Sequence, residues 1–248
     1  MVNGLYKMAS WYSRTGRNSQ ARKLYRRAID ALEAKYGAND LRLVEPLQGI
    51  AASYEREGFR RKEGEEALER AVQIYTDQQY GDAIEHAGAL AKLGDWHTLN
   101  SDFDEAAESY KQAWQVLVEQ GATPAQANAF FAQPARLRYS PPIPVFNDQA
   151  WHISRIADST VVVQFTVTGE GRVEDATVVE ADVSRRVYHD VRDAVKRARY
   201  RPRVVDGELV ATPGVQLQQS FTYLRDLPQQ QQEDFARRNP TCPPRCEY

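Results

Sequence analysis

The sequence predicts two structural classes in one chain: an all-α helical array followed by a small α+β domain. Three observations carry this. Small and aromatic residues recur with a period near 42 through the first half. Four prolines fall between Pro134 and Pro144 and interrupt the chain. Beyond them, apolar residues alternate with polar ones, the pattern of half-buried strands.

The chain has 248 residues, 42% of them apolar and 27% charged, with a formal charge of −2. That suits two modest globular domains and argues against a surface built throughout to hold nucleic acid. No run of eighteen apolar residues occurs, so no membrane span is expected. The opening Met-Val-Asn-Gly-Leu-Tyr-Lys has no apolar core of a secretion signal. The expectation is either a cytoplasmic protein or a mature or trimmed chain. Cys242 and Cys246 stand in the C-terminal tail. They either close a small disulfide loop, which favours an oxidising compartment, or remain two thiols.

In the repeating half, Ala9, Ala51 and Gly94 lie 42 and 43 residues apart, and Ala28, Ala71 and Ala113 lie 43 and 42 apart. Each unit reads as two helices. Its central small residue marks a close helix approach, and the pairs Tyr25/Ala28 and Tyr110/Ala113 share one helix face by their i, i+3 spacing. Acidic residues in Asp102-Phe103-Asp104-Glu105 suit a first helical turn. A closing helix is expected over Ala122–Phe131, with Thr123 as N-cap and Pro124 at the first helical position. The tryptophans Trp11, Trp96, Trp114 and Trp151 read as core or inter-repeat residues. His97 reads as a packed inter-helix residue.

These repeats resemble the tetratricopeptide family, in the longer form found in kinesin light chains. The signature of a small residue, an aromatic four later and alanine three after that is Ala21/Tyr25/Ala28 and Ala106/Tyr110/Ala113. The middle unit departs, with Gly64 and Leu68. The resemblance implies a concave groove that binds a peptide or protein, lined by Tyr6, Ser10, Arg14, Gln48, Glu55 and Asp95. The alternative is a spacer whose groove is solvated.

Past the proline stretch, Val161, Val163, Phe165 and Val167 predict a strand with one buried face, Thr168–Gly171 a hairpin turn, and Val173–Val179 a second strand. A helix follows, capped by Asp182 or Ser184 and ended by Pro202, with Tyr188, Val191, Val195 and Ala198 at helical spacing. Asp206-Gly207 marks a tight turn. In the last strand Val215, Leu217, Phe221 and Tyr223 point inward, and Gln216, Gln218, Ser220 and Thr222 outward. The order is β-β-α-β.

Val161-Val-Val-Gln-Phe-Thr-Val-Thr-Gly-Glu-Gly-Arg-Val173, with Ala194-Val-Lys-Arg-Ala-Arg-Tyr-Arg-Pro202 and the strand ending Phe221-Thr-Tyr223, is similar to the C-terminal domain of the TonB family. The resemblance implies a non-catalytic, periplasmic interaction protein without cofactor. It would take a segment of a protein partner, such as an outer-membrane transporter, as an added strand on Val215, Gln216, Gln218, Ser220, Thr222 and Tyr223. Tyr139 and Pro141 stand nearest to the family's tyrosine-proline contact, with Ser140 intervening. Homodimerisation through the same edge is the second reading. Nucleic-acid binding through Arg185, Arg186, Arg192, Lys196, Arg197, Arg199, Arg201 and Arg203 is the third, and Asp190 and Asp193 interrupt that cluster. His86, His97, His152 and His189 are dispersed and form no catalytic or metal motif. The expected organisation is an array with its capping helix over 1–132, a linker over 133–147, the TonB-like domain over 148–226 and a tail over 227–248.

Overall fold

The computed structural model describes residues 2–57, 61–77, 82–142 and 159–221. The expectations for Trp151, His152, Thr222, Tyr223, the glutamine run at 229–232, Cys242 and Cys246 lie outside them. The described residues group into two units, those within 1–133 together with 203–210, and those within 134–202 together with those described after 210.

The first unit holds three helix pairs in chain order: α1 (Val2–Arg14) with α2 (Asn18–Tyr36), α3 (Val44–Glu57) with α4 (Arg61–Thr76), and α5 (Ala83–Asn100) with α6 (Phe103–Glu119). Consecutive pairs also touch, α2 against α3 and α4 against α5. The repeated small residues sit where helices meet. Ala9, Ala21, Ala28, Ala51, Ala71, Ala106 and Ala113 are all buried. Large rings fill the space these residues leave, and three of them lie against glycines. The Tyr25 ring faces Gly49, the Trp96 ring faces Gly64 and the Tyr110 ring faces Gly94. At Gly94 an added Cβ would stand 2.6 Å from a Tyr110 ring carbon, and at Gly64 it would collide with the indole.

Helix α7 (Pro124–Phe130) closes the array, with Thr123 as N-cap in a reciprocal capping box with Gln126 and proline in the first turn. Its Ala127, with Phe131 just beyond, buries against Tyr110, Ala113 and Leu117. Trp114 and Trp96 are packed as expected, but Trp11 is 48% exposed. The correction has a simple cause: α1 packs against α2 and α3, and among the described residues no helix covers its Trp11 side. His97 is buried, with Glu65 Oε1 3.9 Å from its Nδ1.

The second unit contains β1 (Ala135–Arg138), β2 (Thr160–Val167), β3 (Val173–Ala181), α8 (Arg185–Lys196), β4 (Arg199–Arg201) and, after the excursion described below, β7 (Thr212–Ser220). β2 is the centre of an antiparallel three-stranded sheet ordered β3-β2-β7. Its alternation appears as predicted: Val161, Val163, Phe165 and Val167 are buried with Val191 and Val195 of α8. The Thr168–Gly171 turn closes by mutual backbone bonds, Thr168 N–H to Arg172 O and Gly171 N–H to Thr168 O, both 2.9 Å.

Two expectations need correction here. The helix ends at Lys196 rather than near Pro202, because Arg199–Arg201 leaves the helix to pair with β1. That pairing uses the stretch between Pro134 and Pro141, where the missing proline donors permit only a short strand. Neither proposed cap bonds the helix start. Ser184 holds the N-cap position without a side-chain bond. Asp182 instead accepts the Thr160 N–H at 2.6 Å, tying β3 to β2.

Strands β5 (Arg203–Val205) and β6 (Glu208–Val210) form the predicted hairpin, with Asp206 at φ 51° and Gly207 at φ 80°. Both turn residues take the left-handed conformation that a two-residue turn of matching twist demands. The hairpin lies with the helices. Val204 is fully buried against the α6–α7 core, Asp206 bonds Asn128, and Trp114 Nε1 donates to Asn128 Oδ1 at 2.8 Å. Lys111 and Glu208 add an ion pair at 3.0 Å.

The glycine contacts predict opposite signs within one helix. Gly88→Ala in α5, with open space around its Cβ position, should raise stability by roughly 0.5–1 kcal/mol through helix propensity. Gly94→Leu should lower it by roughly 1–3 kcal/mol through overpacking against Tyr110. Denaturant midpoints of the two variants check this.

Candidate partner-binding edge

The edge is built by β7. Phe221 N–H donates to Ser159 O at 3.0 Å, and the register pairs Val161 with Gln219 and Val163 with Leu217. In an antiparallel ladder alternate residues bond the same neighbour. The N–H and C=O groups of residues 215, 217, 219 and 221 therefore turn toward β2, and those of 216, 218 and 220 turn away. Among the described residues no strand pairs with that outer side.

The side chains follow the same alternation about the sheet plane. Leu217 is buried, Val215 and Phe221 are half-buried in the core, and Gln216, Gln218 and Ser220 are exposed. The edge is thus apolar beneath and wettable along its rim, with the proline Pro213 and the positive-φ Gly214 at its start.

Gln219 was not foreseen as a site residue, though a polar residue in the inward phase of an alternating strand is a readable signal. Its Oε1 accepts the Tyr139 hydroxyl at 3.0 Å. Tyr139 packs on the sheet core, with the Arg136 guanidinium 5.6 Å from its ring centroid. Burial pushes its hydroxyl up to about 12, against the opposing pull of Arg136. Tyr139 is thereby fixed from within to the inner side of the candidate edge strand, while Pro141 is exposed.

The residues expected to line a groove are more scattered in their chemistry. Ser10, Arg14 and Glu55 are exposed. Tyr6 donates to Arg42 O at 3.1 Å and its hydroxyl is raised to about 12, first by burial and then by Glu45. Gln48 accepts from Lys92, and Asp95 accepts the Tyr110 hydroxyl at 2.9 Å. Tyr6, Gln48 and Asp95 therefore already serve internal bonds.

On α8, Asp193 pairs with Arg192 at 2.9 Å and with Lys196 at 3.7 Å, so the basic helix is partly neutralised along its own surface. His189 accepts from Arg185 at 3.3 Å, and His86 is buried, which lowers its basicity. Among the described residues no group of three or more His, Cys, Asp or Glu could hold a metal ion, and no helix is long and apolar enough to cross a membrane.

A three-stranded antiparallel sheet with one helix on its face defines a small α+β domain whose terminal strand, among the described residues, has no partner on its outer side. Residues 154–222 match the family model of the Gram-negative bacterial TonB protein C-terminal. Protein TonB of Pseudomonas aeruginosa is 39% identical over 75 residues, which make up 30% of this chain and 21% of that protein. The chain thus spans about a fifth of the length of the curated relative it matches. Among solved structures, the crystal structure of BtubC (BKLC) from P. vanneervenii aligns with a TM-score of 0.45 and 16% identity, covering 59% of this chain and 54% of that chain.

The Tyr139 hydroxyl makes a pH prediction. Its folded value lies above the ordinary value near 10, so the neutral phenol is favoured by folding. That stabilisation is complete below about pH 10 and is lost as pH rises through about 12. The phenolate absorbance that disappears in Tyr139→Phe should therefore titrate near 12 rather than near 10. The same variant should cost about 0.5–1.5 kcal/mol near neutral pH by losing the Gln219 bond.

Proposed function

We propose that this chain is a non-catalytic protein-interaction adaptor of the TonB type. It captures an extended segment of a partner as an additional strand on the outer side of β7. The observation that supports this is the row of outward-facing backbone groups at Gln216, Gln218 and Ser220, flanked by exposed polar side chains. An unpaired edge supplies main-chain affinity, and alternate side chains supply selectivity. Thr222 and Tyr223, which lie outside the described residues, and the exposed Pro141 belong to the same proposal.

The match to the TonB C-terminal model makes an outer-membrane transporter, or another periplasmic protein, the fitting class of partner, and the periplasm the fitting compartment. The helix pairs act as a second, tetratricopeptide-like interaction element in the same proposal, with Ser10, Arg14 and Glu55 as its exposed groove residues. Self-pairing through β7 is the competing use of the edge.

Gln218→Pro removes an outward-facing donor and leaves the β2–β7 bonds in place. In capture from a detergent-solubilised Gram-negative envelope fraction, the variant should recover the bound partner about tenfold less well, the equivalent of ~1.4 kcal/mol. Equal recovery, with unchanged circular dichroism, rejects the edge. A dimer in sedimentation that Gln218→Pro splits would instead assign the edge to self-pairing.

A further inference from the structure

Aligned on their own period, the three helix pairs share one stripe whose treatment differs in α1. Gly4, Met8 and Trp11 take the places held by Pro46, Ile50 and Ser53 in α3 and by Ala89, Leu93 and Trp96 in α5. In α3 and α5 this stripe faces the second helix of the preceding pair. Ser53 accepts from Arg22 of α2 at 3.4 Å, and Trp96 lies over Gly64 of α4. Five of those six residues are buried, and Leu93 is partly so. In α1, by contrast, Met8 is 51% and Trp11 48% exposed, and Gly4 opens on space.

A tryptophan at this position demands a particular neighbour. The helix that covers Trp96 presents glycine, because any Cβ there would strike the indole. In α2 the equivalent place is Ala21, which suffices opposite the smaller Ser53. Charge narrows the choice further. Gly64 is surrounded in sequence by Glu63, Glu65 and Glu66. Around Trp11 stand Lys7, Arg14 and Arg17, the last with its guanidinium 5.6 Å from the indole centroid, and α1 contains no acidic residue.

We infer that the Gly4–Met8–Trp11 stripe is a docking surface for an acidic amphipathic helix, which carries a glycine opposite Trp11 and carboxylates beside it. The surface continues the interface already used twice within the array, α2 on α3 and α4 on α5. A second copy of this chain fits less well. It would set Lys7 and Arg14 against their own counterparts, with no carboxylate on either helix. The inference does not depend on β7.

The sequence that covers Trp96 internally supplies the probe. A fluorescently labelled peptide of residues 61–77 should bind the full chain. Binding should weaken about tenfold with Trp11→Ala in the protein, and about tenfold with Gly64→Leu in the peptide. Leucine raises helix propensity, so that second loss cannot come from reduced helicity. Added salt should also weaken binding, since the charges are exposed. An unchanged thermal melt of Trp11→Ala excludes unfolding as the cause, and Trp11→Phe should restore part of the affinity. Three results overturn the inference: no binding at about 1 mM peptide, binding indifferent to Trp11→Ala, or a dimer of the chain alone that Trp11→Ala dissociates.

Discussion

An aromatic ring laid against a glycine is the contact on which the helical unit depends. Tyr25 on Gly49, Trp96 on Gly64 and Tyr110 on Gly94 bring helices to a separation that any side chain on the glycine would prevent. The first two contacts join one pair to the next, and the third closes a pair on itself. Each ring buries a large apolar area, and each glycine gives up helix propensity of about 1 kcal/mol to admit it. Burial of the polar ends is handled too. Tyr110 bonds Asp95 and Thr98, and Tyr54 bonds Glu63, so the rings are oriented as well as packed.

The sheet unit obeys a different constraint, the strict two-residue period of β2. Because Val161, Val163, Phe165 and Val167 all fall on the face covered by α8, a one-residue slip would expose the whole set. That locks the register of β7, and with it which of its backbone groups face outward. The candidate edge follows from core packing: the same alternation that buries Leu217 turns the backbone groups of Gln216 and Gln218 away from β2, where among the described residues no strand pairs with them. Tyr139 and Gln219 add a polar bond on the inner side, so the strand that would accept a partner is held in place before one arrives.

The 203–210 hairpin shows how local and tertiary information divide. Its turn is written in Asp206-Gly207, since few residues accept two successive left-handed conformations. Nothing in that dipeptide foretells Val204 buried against α6 and α7, or the bonds that link Trp114, Asn128 and Asp206. Those contacts span 78 residues of sequence, and a tight turn carries no record of what it will pack upon.

Periodicity by itself determined the helix pairs, the alternating strands, the capped closing helix and most of the small contact residues, Gly49 opposite Tyr25 being one it did not mark. Each of these is a local pattern enforced by backbone geometry. The TonB-like character of the second half was legible for the same reason, in the spacing of Val161–Val173 and Ala194–Pro202. Only the tertiary structure decided that the helix stops at Lys196, because pairing of Arg199–Arg201 with β1 outweighs the helical spacing that continues to Ala198. It also decided that Trp11, so similar in sequence position to Trp96, lies exposed: a side chain's burial depends on whether another helix stands opposite it, which no window of sequence contains.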